Sequence, residues 1–559
     1  MIREAILHIP MSEYAHALSE TKVLIRLRAK KDDLSSCELH IGDRAFRGNP
    51  VKFTAIPMYK AYSSELFDWW EVTFDIPFRR ICYYFTLRDG VESILYFSDQ
   101  FHEQEVIERA EYYQLPYVHR ADITHAPDWA RDAIIYNIFP DSFATSKRHI
   151  SLQSMDTTWR GEVSRGQLGG KIRGITENVA YLLELGVNCI YINPLFVAGE
   201  YHKYDLLDYY NVDPCFGSNE EFKEMVDVLH AHGIRVMIDG VFNHCGWHFF
   251  AFDDVVKNGE GSRYRDWFYH LEYPVIRPDT GETIPGYECF AYERKMPKLD
   301  TANPEVREYF CKVGQHWIRE YGIDGWRLDV ADEVDDGFWR AFHQACVEVN
   351  PDVFLIGEVW VNANHWLDGT MFHSAMNYDF RKYCRDFFAL GKIDARRLEE
   401  GLTLMLTRYR KNLTEVQLNI LDSHDVSRFL SLCDGDVKKL KLALLFQMAF
   451  VGIPCVFYGD EQGLSGVLEV EYRRPMTWDG DADLFAYYQQ LIRMRIDKIP
   501  LRRGSFRVIH AEAGLLVFER HYEAEVLTFA INAGECSVVY DGEVVKAYGY
   551  RMKEGDLWV

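Results

Sequence analysis

Between residues 133 and 500 one local pattern recurs, and it constrains the fold more than any other feature of the chain. A helical stretch stops at Gly or Asn-Pro, and a short apolar run follows. Ser218-x-x-Glu221 reads as a capping box, opening a helix that ends at Gly233 before the apolar run 234–239. Asn303-Pro304 reads as an N-cap with Pro at the first helical position, and that helix ends at Gly322 before the run 323–329. A helix over 338–349 is closed by Asn350-Pro351 and followed by 353–358; one over 175–185 ends at Gly186 and is followed by 188–192. Asp436 starts a helix that ends near Gly452, and 454–458 follows. Runs at 133–139, 373–377 and 416–422 bring the strand count to eight. Repeated βα units imply a parallel sheet, and eight of them predict an α/β fold closed into a (β/α)8 TIM barrel over 123–502.

The flanks read differently. Residues 1–122 carry short strand-like runs at 23–27, 67–74, 81–87 and 93–97, punctuated by Gly42-Asp43 and Asp89-Gly90. They predict an N-terminal β-sandwich resembling a carbohydrate-binding module. Trp69 and Trp70 are adjacent, so at most one is expected at the surface as a sugar platform, and core packing suits both. Residues 120–132 read as a linker. Residues 503–559 return to short strands and predict a C-terminal β-sandwich domain. Within the barrel, 244–302 offers no good helix–strand unit and is expected to be an inserted subdomain after the third strand.

Composition narrows the partners. With 62 Lys and Arg against 85 Asp and Glu, the net charge is −23, which argues against nucleic acid and anionic membranes. The longest apolar run, 440–458, is interrupted by Gln447 and Gly452-Ile453-Pro454 and reads as a buried helix then a buried strand, so no membrane span is expected. The twelve Cys contain no C-x-x-C pair and read as reduced thiols, and no secretory leader is seen, so a cytoplasmic location is expected.

Barrel enzymes place catalytic groups at the C-terminal ends of strands. Here strand three ends at Asp239, with Asn243 and His244 just beyond; strand four ends at Asp329, strand five at Glu358, and strand seven leads into Ser423-His424-Asp425. Each acid alone could be a helix cap. Several acids converging in one cleft repel each other, and that cost points to function. Arg327 and Asp329 share a strand face, so the guanidinium is expected to favour the ionised carboxylate, as covalent attack on a sugar carbon requires.

The stretches D-G-V-F-N-H (239–244), G-W-R-L-D-V-A-D-E (325–333), G-E-V-W (357–360) and D-S-H-D (422–425) together resemble the α-amylase superfamily of glycoside hydrolases. H-K-Y-D (202–205), M-P-K-L-D (296–300), Trp360, G-I-P-C-V-F-Y-G-D-E (452–461) and the N-terminal β module make the chain similar to the neopullulanase, cyclomaltodextrinase and maltogenic amylase group. The resemblance implies a retaining hydrolase of α-1,4 bonds, with α-1,6 bonds as a further target, acting on cyclodextrins, pullulan and maltooligosaccharides with some transglycosylation. It implies Asp329 as nucleophile, Glu358 as general acid then base, and Asp425 as a grip on the hydroxyls of the attacked sugar. Arg327 would pair with Asp329, His244 and His424 would hydrogen-bond the sugar, Tyr204 would stack on it, and Asp239 would support the site. Trp360 and Phe290 would face the leaving group; Glu469 and Arg473 would bound the non-reducing side, or form a solvated salt bridge. The group also implies a homodimer in which the N-terminal module covers the partner's cleft. A dedicated glucanotransferase or α-glucosidase on the same scaffold is the alternative, and a non-catalytic glucan-binding subunit is disfavoured because all three acids are present.

The chain departs from the resemblance in places. Relatives hold calcium with an Asn/Asp-rich loop after the first strand and a later Gly-Gly-Asp. Here the loop is Pro140-Asp141-Ser142-Phe143-Ala144-Thr145-Ser146-Lys147-Arg148, and the later stretch is Gly169-Gly170-Lys171. Calcium wants several anionic oxygens, so no metal and no other cofactor is expected, with Lys171 in the ion's place. Asp300 and Asp332 stand where Asn is common, and Val361 where His is frequent.

Overall fold

The computed structural model describes residues 1–105, 107–152, 158–159, 162–163, 166–277, 285–555 and 557–558. Eight parallel strands close a barrel: β1 Ile135–Ile138, β2 Cys189–Ile192, β3 Arg235–Gly240, β4 Gly325–Leu328, β5 Phe354–Gly357, β6 Ser374–Asn377, β7 Leu418–Ile420 and β8 Ile453–Phe457. β8 pairs back onto β1, with Tyr136 opposite Val456. Every apolar run expected to be a strand holds one, mostly trimmed by one to three residues. The trimming at β4 is informative. Val330, two residues past its end, turns left-handed at φ 45°, a costly region for a β-branched residue, and the chain leaves the sheet there.

The expected helix signals operate. Ser218 and Glu221 form the reciprocal capping box, and Asn303 caps the helix Pro304–His316 by accepting from Glu305 N. That helix continues as a π turn over Trp317–Tyr321 and ends at Gly322, whose φ of 77° suits a residue without a Cβ. The stretch expected as one helix over 175–185 is two, Ile172–Glu177 and Val179–Leu185. They meet at Asn178, whose side-chain amide donates to the carbonyls of Ser146 and Gly174 and so competes with the helical ladder. The insertion after β3 also holds a helix, Phe250–Asn258, which buries Ala251, Phe252 and Val255; the sequence signals did not reveal it because its N-cap residue, Phe249, has no polar side chain.

The segment expected as a linker is structural. Its turn Asp128–Asp132 buries Ala130 against the lower barrel interior, beside Ile135, Met237 and Phe354, and the Trp129 indole donates to the Asp352 carbonyl at 2.9 Å. The chain thus closes the bottom of its own barrel before entering β1.

The N-terminal module is a sandwich of a four-stranded and a six-stranded sheet. Trp69 and Trp70 are 5% and 7% exposed, so neither is a sugar platform. The module rests on the outer wall of the barrel. Arg26 donates to the Thr407 carbonyl, and Thr403 to the Ser63 carbonyl, on the helix Ala395–Thr407. The C-terminal domain is a five-stranded sheet with a separate two-stranded hairpin. Its Arg520 reaches back, fully buried, to the carbonyls of Ala449 and Gly504 and ties the sheet to the end of the helix before β8. Among the described residues no helix is long and apolar enough to cross a membrane.

Candidate active site

Sheet register places the reacting groups. Leu328 at the end of β4 is opposite Gly357 at the end of β5. The next residues, Asp329 and Glu358, are therefore lateral neighbours at the C-terminal mouth of the barrel. Arg327, one step inside, points up between them. Its Nη1 donates to Asp329 Oδ1 at 2.8 Å and to Asp239 Oδ1 at 2.8 Å. Its Nη2 lies 2.8 Å from Glu358 Oε1, off the hydrogen-bonding direction, and 3.8 Å from Asp425 Oδ2. Two carboxylates on the two terminal nitrogens of one guanidinium suit the roughly 5–5.5 Å spacing of a retaining glycosidase.

The acid Glu358 is held from three sides. Val330 N donates to Oε2 at 3.0 Å, a contact that the left-handed turn at Val330 makes possible. The Trp360 indole donates to Oε1 at 3.1 Å, and the Tyr378 hydroxyl approaches the same oxygen at 3.4 Å. Trp360 stacks on Tyr378 with ring centroids 4.0 Å apart and stays half exposed at the cleft rim.

Asp425 sits opposite. His424 Nε2 is 2.9 Å from Oδ2, and Arg473 Nη2 donates to Oδ1 at 3.2 Å. Burial works against the charge on Asp425, but His424, Arg473 and Arg327 outweigh it and hold the carboxyl below the usual range. Asp329 behaves in the opposite way. Burial pushes its carboxyl well above the ordinary range, Glu358, Asp239 and Asp425 add to the effect, and Arg327 alone opposes it. The expectation that Arg327 keeps Asp329 ionised is thus corrected for the ligand-free site. One buried guanidinium meets four carboxylates, so it cannot neutralise the one beside it, and the site favours retaining a proton.

Tyr204 lies parallel to His424, with centroids 5.7 Å apart, and its hydroxyl donates to Asp239 Oδ2 at 3.0 Å. His244 is 1% exposed and stacks on Phe290 at 4.8 Å; its Nε2 has no protein partner. Burial lowers that imidazole to about 3, so the ring is neutral and presents Nε2 to whatever fills the cleft. Arg473 is buried, not a solvated pair: it donates to the His424 carbonyl, Tyr201 and Glu469 as well as Asp425. Glu469 is the half-exposed end of that chain.

These groups surround one cleft of about 600 Å³, walled by Tyr204, His244, Phe290, Asp329, Glu358, Trp360, Asp425, Glu469 and Arg473, together with His202, Met296, Val330, Asp332 and Glu333. Asp239, Arg327 and His424 lie beneath its floor. A search of the sequence for acids and histidines missed the amide and phenol layer below. Asn193, just past β2, donates toward Asp239 and His424; it accepts from Asn137 at the end of β1, and Tyr191 donates to Asp239 at 2.7 Å. The strand-end rule applied to β1, β2 and β6 would have flagged Asn137, Asn193 and Tyr378. Among the described residues no group of three His, Cys, Asp or Glu side chains is placed to hold a metal.

Residues 137–491 match the family described as alpha amylase, catalytic domain, and residues 1–119 match alpha amylase, N-terminal ig-like domain. The chain is 41% identical over 541 residues to a cyclomaltodextrinase of Geobacillus thermopakistaniensis (strain MAS1), covering 95% of this chain and 91% of that protein. It is 40% identical to neopullulanase 2 of Thermoactinomyces vulgaris, again covering 95% and 91%. The solved structure of a cyclomaltodextrinase superposes with a TM-score of 0.90 at 38% identity, covering 96% of this chain and 92% of that one. With both domains matched and the acids of the strand ends assembled around one guanidinium, the chain belongs to the α-amylase superfamily of glycoside hydrolases.

Proposed function

We propose that the chain hydrolyses α-1,4 bonds of cyclodextrins, pullulan and maltooligosaccharides with retention, α-1,6 bonds being a secondary target. The observation that carries the reading is the side-by-side placement of Asp329 and Glu358 on Arg327, with Asp425 held ionised across the cleft. In the first step Asp329 attacks the anomeric carbon while Glu358 gives its proton to the departing glycosidic oxygen, forming a glycosyl ester. Glu358 must carry a proton and Asp329 must have lost its own at this moment. Substrate hydroxyls then meet Asp425 and His244, His424 holds Asp425 from beneath, and the Tyr204 ring covers a sugar face. In the second step Glu358 takes a proton from water, whose oxygen displaces Asp329 from the anomeric carbon. A sugar hydroxyl in place of that water gives transfer. Trp360 and Val361, 50% and 68% exposed, make the leaving-group rim apolar and support such transfer.

Fresh products of maltotriose followed by NMR should be α-anomers. Glu358→Gln should abolish turnover while still binding maltotriose, and Asp329→Ala should abolish it too. β-anomers, or turnover in either variant, would overturn the assignment. Parallel digests of β-cyclodextrin, pullulan and soluble starch rank the substrates, and glucose as acceptor separates a hydrolase from a dedicated transferase.

A homodimer belongs to the same reading. Among the described residues none of the chain's own N-terminal module lines its cleft, which is compatible with such a module covering a partner's. Sedimentation as a monomer at micromolar concentration would refute it. The loop after β1 does not fit calcium. The Lys171 ammonium meets the Cys215 carbonyl, Arg148 pairs with Glu184, and Asp141 Oδ1 accepts from the backbone of Leu168 and Gly169. Calcium bound stoichiometrically there after dialysis would sink this reading. The free thiols, most of them buried, fit a reducing cytoplasm.

A further inference from the structure

Two buried arginines cross between the loop after β7, which carries Asp422, His424, Asp425 and Arg428, and the segment after β8, which carries Asp460, Tyr472 and Arg473. Arg473 crosses from the β8 side to the β7 side. Its Nε donates to the His424 carbonyl at 2.6 Å and its Nη2 to Asp425 Oδ1 at 3.2 Å. Arg428 crosses the other way. Its Nε donates to the carbonyl of Tyr472, the residue just before Arg473, at 3.0 Å. Its Nη1 donates to the Tyr458 carbonyl and to Asp460 Oδ1, both at 2.7 Å. Among the described residues, every acceptor of the Arg428 side chain thus belongs to the segment that ends in Arg473.

Arg428 is fully buried and is not part of the cleft wall, so it touches no substrate. Its Cζ stands 4.2 Å from the Phe457 ring centroid and 4.8 Å from that of Tyr458, so the flat guanidinium is packed against aromatic faces. Asp422 accepts the Phe429 N–H at 2.7 Å and closes the loop on itself. Asp425 lies midway between the anchors Asp422 and Arg428. A buried guanidinium adds little net stability over an apolar side chain of its size, whereas its directed donors fix position. The pattern therefore serves placement more than stability, and the group it places is the cleft carboxylate Asp425.

We propose that Arg428 is a positioning residue: with Arg473 it forms a two-way clasp between the loops after β7 and β8 that fixes the Asp425 carboxylate against the attacked sugar. The proposal rests on the α-glucanase reading of the cleft and adds to it a residue that acts only through others.

Arg428→Lys tests the clasp, because lysine keeps the charge but offers one nitrogen where Arg428 uses two. At about 25 °C, with circular dichroism confirming the fold, kcat on p-nitrophenyl α-maltoside should fall roughly 10–100-fold while KM changes less than about threefold, since a misplaced Asp425 is felt most in the transition state. In an Asp425→Asn background the same substitution should lower kcat by less than about threefold more. Unaltered kcat in a variant that merely melts earlier would make Arg428 a stability residue, and full additivity with Asp425→Asn would place its action elsewhere; either result overturns the proposal. If Arg428→Lys does not fold, Arg428→Gln combined with Asp460→Asn removes cation and counterion together, and the same losses are expected. A crystal structure of the variant reads the clasp without turnover. The Asp425 carboxylate should shift by at least about 0.5 Å and lose its contact with Arg473, and an unmoved Asp425 would overturn the proposal. Absence of maltoside turnover in the unaltered enzyme would fail the glucanase reading alone, and that structure would still decide the clasp.

Discussion

Asp205 offers a prediction that can be worked from the structure. It closes the loop that carries His202 and Tyr204, is 4% exposed, and accepts the Glu200 N–H at 3.0 Å. A Cβ on Gly199 would come within 2.5 Å of Asp205 Oδ2, so a side chain there would push the carboxylate aside. Burial lifts the carboxyl from 3.8 to about 7; the Glu200 N–H bond opposes the lift, the Glu200 charge adds to it, and Lys203 opposes it. The folded chain therefore holds a proton here that the unfolded chain gives up above about pH 4. The stability tied to that proton is intact below the unfolded pKa, falls as pH rises, and is gone once pH passes about 7. Three pH units at about 1.4 kcal/mol each set the full loss near 4 kcal/mol, of which roughly 2–3 kcal/mol falls between about pH 5 and about pH 8. Asp205→Asn mimics the protonated acid and removes this slope. In a chain this long 1 kcal/mol moves Tm by roughly 1 °C. The variant should gain about 2–3 °C on the native protein as pH is raised over that span, by scanning fluorimetry in matched buffers. Two melting curves that shift in parallel across the range would refute the claim that Asp205 is held protonated.

Other substitutions test the site itself. Trp360→Phe keeps the stack on Tyr378 and removes the donor to Glu358, so kcat on p-nitrophenyl α-maltoside should drop roughly 3–10-fold; unaltered kcat would deny the indole any part in placing the acid. Arg327→Lys cannot bridge Asp329 and Glu358 at once and leaves buried carboxylates poorly paired, so it should lose at least about 100-fold in kcat together with several degrees of Tm; retention of either would contradict the central role given to the guanidinium. Asp332→Asn removes a like charge from the cleft wall, and the basic limb of the pH–rate profile should move down by a few tenths of a unit; superimposable profiles would show that Asp332 is fully screened.

The barrel was legible because its signals are local. Capping residues such as Ser218, Asn303 and Asp436 and stops such as Gly322 act over one helical turn, and each one operates as read. What escaped depends on tertiary contacts. The linker reads as loop because 126–132 is rich in turn formers, yet Ala130 and Trp129 become core once the barrel gives them a floor to fill. Asn178 breaks a helix only because the Ser146 carbonyl is within reach. Trp69 and Trp70, adjacent on one strand and read as suiting the core, are buried by the module's own sheets.

The site shows the same division more sharply. Alternation along one strand put Arg327 and Asp329 on the same face, and the structure agrees at 2.8 Å. The charge state inferred from that pair did not follow. A pairwise argument counts one cation against one anion, whereas the closed barrel brings Asp239 from β3, Glu358 from β5 and Asp425 from β7 to the same guanidinium. Register is what converts the pair into a cluster: Arg327 lies opposite Asp239 on one side and Ile356, two residues before Glu358, on the other. No spacing along the chain encodes that convergence, because it is set by which strands become neighbours. A single guanidinium shared among four acids leaves the Asp329 carboxyl well above its ordinary range, and a retaining glycosidase needs that carboxyl ionised when it attacks. Extra positive charge at the floor would lower the Asp329 carboxyl toward its ordinary range, because Arg327 is the group that already opposes burial and the neighbouring acids there.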